Sequence, residues 1–248
     1  MLLGGFVAGS VTRRATLQRH RIDRDDASTE EEFHAGATVD GVVRRAFIPE
    51  GREQGTPPEE LRRRVASLKS GTYIDDIVFA QDSALYRWGS PSAAEVRVWI
   101  EPTSAGAGWE PAYPESARGA FGEWSDAGFP MPFVFVSDSL SADLTIRWRE
   151  RFPDADGQRI GVTERIQTSR FWIASARIQI ANHDSAGRLL PPRTVAGILR
   201  HEIGHALGLN HADDATSVMY REAATSTISA SDRATLRLLY LVPPGSLR

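Results

Sequence analysis

Residues 201–211 read His-Glu-Ile-Gly-His-Ala-Leu-Gly-Leu-Asn-His, a run that holds three of the chain's six histidines. His201 and His205 are four residues apart, so on a helix their side chains project from the same face. Two imidazoles on neighbouring turns can bind one zinc ion at about 2.0–2.1 Å each. The spacing therefore predicts a metal site on a helix.

Three further residues extend this pair. Glu202 places a carboxylate beside the first histidine, where it can reach a water molecule on the metal rather than the metal itself. Gly208 allows the positive φ with which a chain turns sharply off a helix. That turn can bring His211 back as a third ligand and leave the fourth position open, as in catalytic zinc sites. A bare His-Glu-x-x-His also occurs by chance on amphipathic helices, but the added glycine and histidine make chance a poor explanation.

Composition excludes several other kinds of site. The chain has 248 residues and no cysteine, which excludes disulfides, thiolate zinc sites and cysteine nucleophiles. Its formal net charge of −3 gives no reason to expect binding to nucleic acid or to an anionic membrane surface. Residues 1–11 are uncharged and mostly apolar and precede Arg13 and Arg14, as in a short signal-peptide core or the tail of a membrane anchor. We therefore expect an extracytoplasmic protein, with a membrane tether as one use of this segment.

The chain divides into three parts by composition. Residues 1–35 are an apolar segment followed by a charged linker, and residues 36–90 form an N-terminal extension. In the extension, residues 39–48 predict a short strand or hairpin, and Pro57-Pro58 opens a helical run that continues to Leu68. Residues 91–248 make the third part, which contains the histidines.

The third part alternates between strand and helix patterns, which predicts an α+β fold. Strands are predicted at 96–100, 133–136, 142–148, 160–167 and 176–181. The strand at 160–167 is predicted to lie at an edge of the sheet. Helices are predicted at 114–127, over the histidine stretch and at 231–240, with Thr194 as the cap of the second.

The histidine stretch followed by a methionine resembles the signature of the metzincin clan of zinc peptidases. Ser217-Val218-Met219-Tyr220 supplies that methionine, and Met219 resembles the Met-turn residue that forms an apolar floor below the zinc ligands. Within the clan the chain is most similar to the matrixins and their bacterial relatives. The similarity extends to residues 142–148, which resemble the third strand of that family, and to residues 228–240, which resemble its last helix.

The resemblance implies a zinc-dependent endopeptidase that acts as a monomer on protein or peptide substrates. It implies a metzincin-like catalytic domain with a twisted, mostly parallel five-stranded sheet, a long zinc helix and a C-terminal helix. It also implies that a substrate pairs in extended form with the strand at 160–167. The implied site holds one zinc ion on His201, His205 and His211. Glu202 would be the general base, Met219 the Met-turn residue and Tyr220 a residue lining the substrate pocket.

The chain departs from the family pattern at several places. Arg221 stands where matrixins usually have proline, and Ser231-Asp232 stands where they often have two acidic residues. His183 and Asp184 stand alone where the family builds a second zinc site, so no second zinc is predicted. Residues 154–157 hold two aspartates and a glycine that suit either a calcium site or a charged turn.

Two questions stay open on the sequence. The matrixin pro-region blocks its zinc with a cysteine, which this chain lacks. Residues 36–90 are therefore either an extension packed on the domain or a pro-segment in which Asp75, Asp76 or Asp82 masks the metal. The alternatives to a peptidase are a zinc-containing binding module without turnover and a zinc hydrolase of a non-peptide substrate.

Overall fold

One sheet organises the part of the chain that the computed structural model describes, which comprises residues 45–48, 55–90, 93–152, 159–222 and 225–248. Its strands are β1 (Arg45–Ile48), β3 (Val96–Ile100), β4 (Phe133–Phe135), β5 (Leu144–Arg149), β6 (Gly161–Thr168) and β7 (Ile173–Ala181). They lie side by side in the order β1-β6-β7-β5-β3-β4. β6 and β7 pair antiparallel, and all the other pairs in this sheet are parallel. The predicted α+β fold with a mostly parallel sheet is confirmed, and all five predicted strands belong to it.

β1 adds a sixth strand to the predicted five. It comes from the N-terminal extension and pairs in parallel with Arg165–Thr168 of β6. The prediction that the strand at 160–167 lies at an edge is therefore wrong for its second half. The first half of β6, Gly161–Glu164, does not pair with β1. The sequence pattern of β6 alone gives no sign of this partner, because pairing joins residues about 120 positions apart.

Five α-helices lie between and after these strands along the chain. They are α1 (Pro58–Leu68), α2 (Ile74–Ala80), α3 (Tyr113–Ala127), α4 (Pro192–Ala206) and α5 (Ala230–Leu241). A short 3-10 helix lies at Ser139–Ser141, and a two-stranded antiparallel sheet joins β2 (Ala84–Leu85) to β8 (Gly245–Ser246). Among the described residues no helix is long and apolar enough to cross a membrane. The apolar segment at 1–11 and the calcium candidates Asp154, Asp156 and Gly157 lie outside the described residues.

α4 carries the first two histidines of the motif. Its apolar residues recur at helical spacing and are all buried: Val195, Ile198, Leu199, Ile203 and Ala206. Pro192 occupies the first turn, where the missing N–H of proline costs nothing. The prediction of Thr194 as the cap is wrong, because the helix begins two residues earlier with Pro191 at the N-cap position and no side-chain cap bond.

The N-terminal extension contributes to the same hydrophobic core as the sheet and α4. Leu61 of α1 and Ile74 and Ile77 of α2 are fully buried. They belong to one cluster with the buried residues of α4, α5 and the strands. The described part of the extension therefore packs as an element of the fold.

Truncating Leu61 tests this packing. Leu61→Ala removes a fully buried side chain and is expected to lower the free energy of unfolding by about 2–5 kcal/mol. Leu68→Ala, in the same helix, is the matched control, because Leu68 is 44% exposed and its loss is expected to cost well under 1 kcal/mol, roughly the value of a surface substitution. Urea unfolding of both variants measures the difference. Equal small losses would contradict a shared core.

Candidate metal centre

Three imidazoles converge at the end of α4. His205 Nε2 lies 3.0 Å from His201 Nε2 and 3.3 Å from His211 Nε2. Ligands at about 2.1 Å from a tetrahedral zinc ion lie about 3.4 Å from one another, so these separations suit one ion held by all three. His201 and His205 are buried, and His211 is partly exposed. The structure thus brings together the three histidines that the sequence predicts as ligands.

Backbone carbonyls fix the orientation of two of these rings. His201 Nδ1 lies 2.7 Å from the Val218 carbonyl oxygen, and His205 Nδ1 lies 3.0 Å from that of Leu209. A carbonyl oxygen only accepts, so each Nδ1 donates and each Nε2 of a neutral ring carries a lone pair. Burial, together with the neighbouring His201 and His211, holds the pKa of His205 well below its ordinary value, which keeps that ring neutral.

The arrangement of lone pairs fits a metal ion. The Nε2 lone pairs of His201 and His205 face each other across 3.0 Å and repel unless a cation lies between them. Neutral imidazole nitrogens are good ligands for zinc. Among the described residues, the one group of three or more potential ligands close enough to share an ion consists of these two histidines and His211. It contains no aspartate.

The turn after α4 delivers the third histidine. Gly208 has φ +107°, in the region that favours glycine. A Cβ atom at this position would also lie 2.5 Å from the Tyr86 carbonyl oxygen and 3.0 Å from Leu239 Cδ2. Both the backbone conformation and the close packing therefore require glycine, as the sequence predicts.

Met219, the predicted Met-turn residue, packs against α4. It is fully buried, and its sulfur fills the space beside Gly204, between the two histidines of α4, that a Cβ atom there would occupy. Tyr220 follows at partial exposure and forms an isolated bridge with Ala212, which ties the segment after His211 to this turn.

Asp232 anchors the Met-turn, and sequence reasoning missed this role. Its fully buried carboxylate accepts hydrogen bonds from the Val218 N–H at 3.0 Å and from the Ser217 hydroxyl. It also accepts from the Ser229 N–H at 2.8 Å, as part of a capping box at the start of α5, and from the Tyr73 hydroxyl at 3.0 Å. The spacing Ser229-x-x-Asp232 is a capping-box pattern that signals the local contact. The contacts with the Met-turn and Tyr73 have no local signal.

Glu202, the predicted general base, also has a hydrogen-bond partner that the sequence does not reveal. Its side chain is fully buried, and the Thr163 hydroxyl lies 2.5 Å from Glu202 Oε2 and 2.9 Å from the Glu202 carbonyl oxygen. A Cβ atom on Gly161 would overlap the same carboxylate. β6 therefore positions Glu202 in two ways: the Thr163 hydroxyl binds its carboxylate, and Gly161 leaves the space that the carboxylate occupies.

Replacing Asp232 tests the anchor of the Met-turn. Asp232→Ala leaves several buried donors without an acceptor and is expected to lower the free energy of unfolding by at least about 3 kcal/mol, since each such donor costs roughly 1–3. Asp138→Ala, which removes the exposed cap of the short 3-10 helix, is the control and should cost less. Denaturant unfolding compares the two. A loss for Asp232→Ala no larger than that of the control would refute the anchoring role.

Comparison with known proteins agrees with this geometry. A model of the matrixin family matches residues 103–241, which is more than half of the chain and includes all three histidines and Met219. None of the curated proteins matches the chain. Matrixins are typically secreted, act on protein substrates and carry zinc on a histidine triad of this kind. With the histidines and the Met-turn residue inside the matched region, the chain belongs to the matrixin family of zinc endopeptidases.

Proposed function

We propose that the protein cleaves peptide bonds in protein substrates, with one zinc ion bound by His201, His205 and His211 and with Glu202 as the general base. The convergence of the three Nε2 atoms carries this proposal. Two observations support the role of Glu202: it follows the first histidine directly on α4, and its carboxylate accepts a hydrogen bond from Thr163 of β6.

The bound zinc ion would polarise the peptide carbonyl and lower the pKa of a water molecule toward about 7. Glu202 accepts the proton of the attacking water and delivers it to the leaving nitrogen. Because Glu202 is fully buried, few solvent molecules compete for its carboxylate. Thr163 is a positioning residue, because its hydroxyl donates to one carboxylate oxygen of Glu202 and thereby fixes the orientation of the carboxylate.

The substrate would bind as an extended strand beside the first half of β6. Within the described residues, Gly161–Glu164 have a partner strand, β7, on one side only, whereas β1 covers Arg165–Thr168 on the other side. A peptide can add to such an edge through main-chain hydrogen bonds. Tyr220, partly exposed beside the Met-turn, is proposed to line the pocket for the side chain beyond the cut.

The remaining proposals concern the setting of the enzyme. Typical secretion of matrixins supports an extracytoplasmic location. The apolar residues 1–11 are proposed as the export signal or membrane tether, and the protein is proposed to act as a monomer.

Replacing Glu202 tests the proposed chemistry. Glu202→Ala is expected to lower kcat/KM on an unstructured protein substrate at least about 100-fold, because general acid–base catalysis contributes this much or more. Metal analysis should still find one zinc per chain in the variant. Glu115→Ala, on the exposed surface of α3, should keep full activity. Cleavage that survives Glu202→Ala would refute the mechanism, and turnover of ester or amide model compounds without protein cleavage would refute the substrate class.

Replacing Thr163 tests the positioning of the base. Thr163→Val keeps the shape and removes the hydroxyl, so kcat is expected to fall about tenfold, the equivalent of one hydrogen bond, with KM nearly unchanged. Thr163→Ser restores the hydroxyl and should recover most of the rate. Thr145→Val, on β5, controls for the loss of a threonine in the sheet. Equal rates for Thr163→Val and Thr163→Ser would exclude the role.

A further inference from the structure

Side chains satisfy the carbonyl groups at the end of α4. The Ala206 oxygen accepts from Trp88 Nε1 at 2.8 Å, the Leu207 oxygen from the Tyr240 hydroxyl at 2.8 Å, and the Gly208 oxygen from Gln81 Nε2 at 3.2 Å. The last carbonyls of a helix have no partner within the helix itself. Here two of the three donors come from the N-terminal extension, outside the region matched by the family model.

These carbonyls belong to the turn between the second and third zinc ligands. The turn must keep its conformation for His211 Nε2 to lie 3.3 Å from His205 Nε2. Gln81 and Trp88 are 1% and 4% exposed, so water has little access to take their place as hydrogen-bond donors to these carbonyls. The Tyr86 carbonyl oxygen packs against Gly208 from the same segment. Three residues of the segment 81–88 thus contact the turn, at Ala206 and Gly208.

A second route connects the extension to the first zinc ligand. The Tyr73 hydroxyl donates to Asp232 at 3.0 Å, and Asp232 accepts from the Val218 N–H. The Val218 carbonyl in turn orients the ring of His201. Burial and the adjacent charge of Asp232 raise the pKa of Tyr73 well above its ordinary value, so its hydroxyl stays a donor.

We propose that residues 81–88 position the zinc ligands, and that residues 57–90 therefore stay attached in the active enzyme. Gln81 and Trp88 are positioning residues, since they act on the metal through the turn that carries His211. The proposal rests on the proposed function in one respect, the role of His211 as a zinc ligand. It gives the extension a permanent role in the site, in contrast to a pro-segment that must leave before the enzyme works.

Zinc affinity of the full-length chain tests the proposal directly. The metal-free protein is titrated with zinc in competition with a chromophoric chelator. Trp88→Phe keeps an aromatic ring but removes the donor to Ala206, and zinc binding is expected to weaken about tenfold, at the lower end of the effect of losing a group that orients a ligand. The matched control is Trp148→Phe, because Trp148 is 6% exposed and donates to the Glu101 carbonyl at 2.9 Å. The control should keep its zinc affinity within about twofold, well below that effect.

A second variant separates positioning from stability. Gln81→Met removes the donor to Gly208 together with Gln81 Oε1, a buried oxygen without a hydrogen-bond partner among the described residues. Zinc affinity should fall about tenfold as for Trp88→Phe. The melting temperature of its metal-free form should change less than that of Trp148→Phe. This variant also decides the question if Trp88→Phe does not fold.

The outcomes are distinct. Zinc affinities of Trp88→Phe and Gln81→Met that equal that of the control would overturn the inference. An active enzyme whose N-terminus, by sequencing, lies beyond residue 57 would also overturn it. Failure of the unaltered protein to bind zinc would instead remove the proposed function, and the inference with it.

Discussion

The site depends on a geometric constraint: one stretch of eleven residues must bring three imidazole nitrogens to about 3.4 Å from one another around a metal ion. A helix supplies two of them, because residues four apart share a face. The third requires the chain to leave the helix and reverse within six residues. Gly208 provides the left-handed conformation, and Tyr86 and Leu239 pack so closely around it that no side chain fits. The turn is held from outside as well as by its own sequence.

Orientation of the ligands rests on backbone carbonyls, which ties the metal site to the stability of the fold. The Val218 and Leu209 oxygens set the tautomers of His201 and His205. A carbonyl is only as well placed as the segment that carries it. Asp232 holds the segment of Val218, and Met219 fills the space below α4. Loss of these buried contacts would therefore change both the stability of the domain and its affinity for metal.

Local sequence patterns explain what could be predicted and what could not. The spacing of His201, His205 and Gly208 determines their geometry within a few residues, so the ligands were predictable. The prediction of Thr194 as the N-cap is wrong, because Pro191 and Pro192 already begin the helix without a side-chain cap hydrogen bond. Contacts between distant segments left no such pattern. The hydroxyl of Thr163 reaches Glu202 only because β6 crosses α4, and β1 covers half of β6 only because a chain segment far away returns to pair with it.

Contacts between distant segments also bear on the role of the N-terminal extension. A segment that masks a zinc ion must leave the active enzyme, so it makes no lasting contact with the site. Residues 57–90 instead contribute many of their apolar side chains to the common core, and Gln81 and Trp88 donate to carbonyls at the end of α4. Removing them would expose the core and leave helix carbonyls without partners at the turn that carries His211. These contacts are the observations behind the proposal that the extension holds the zinc ligands in place.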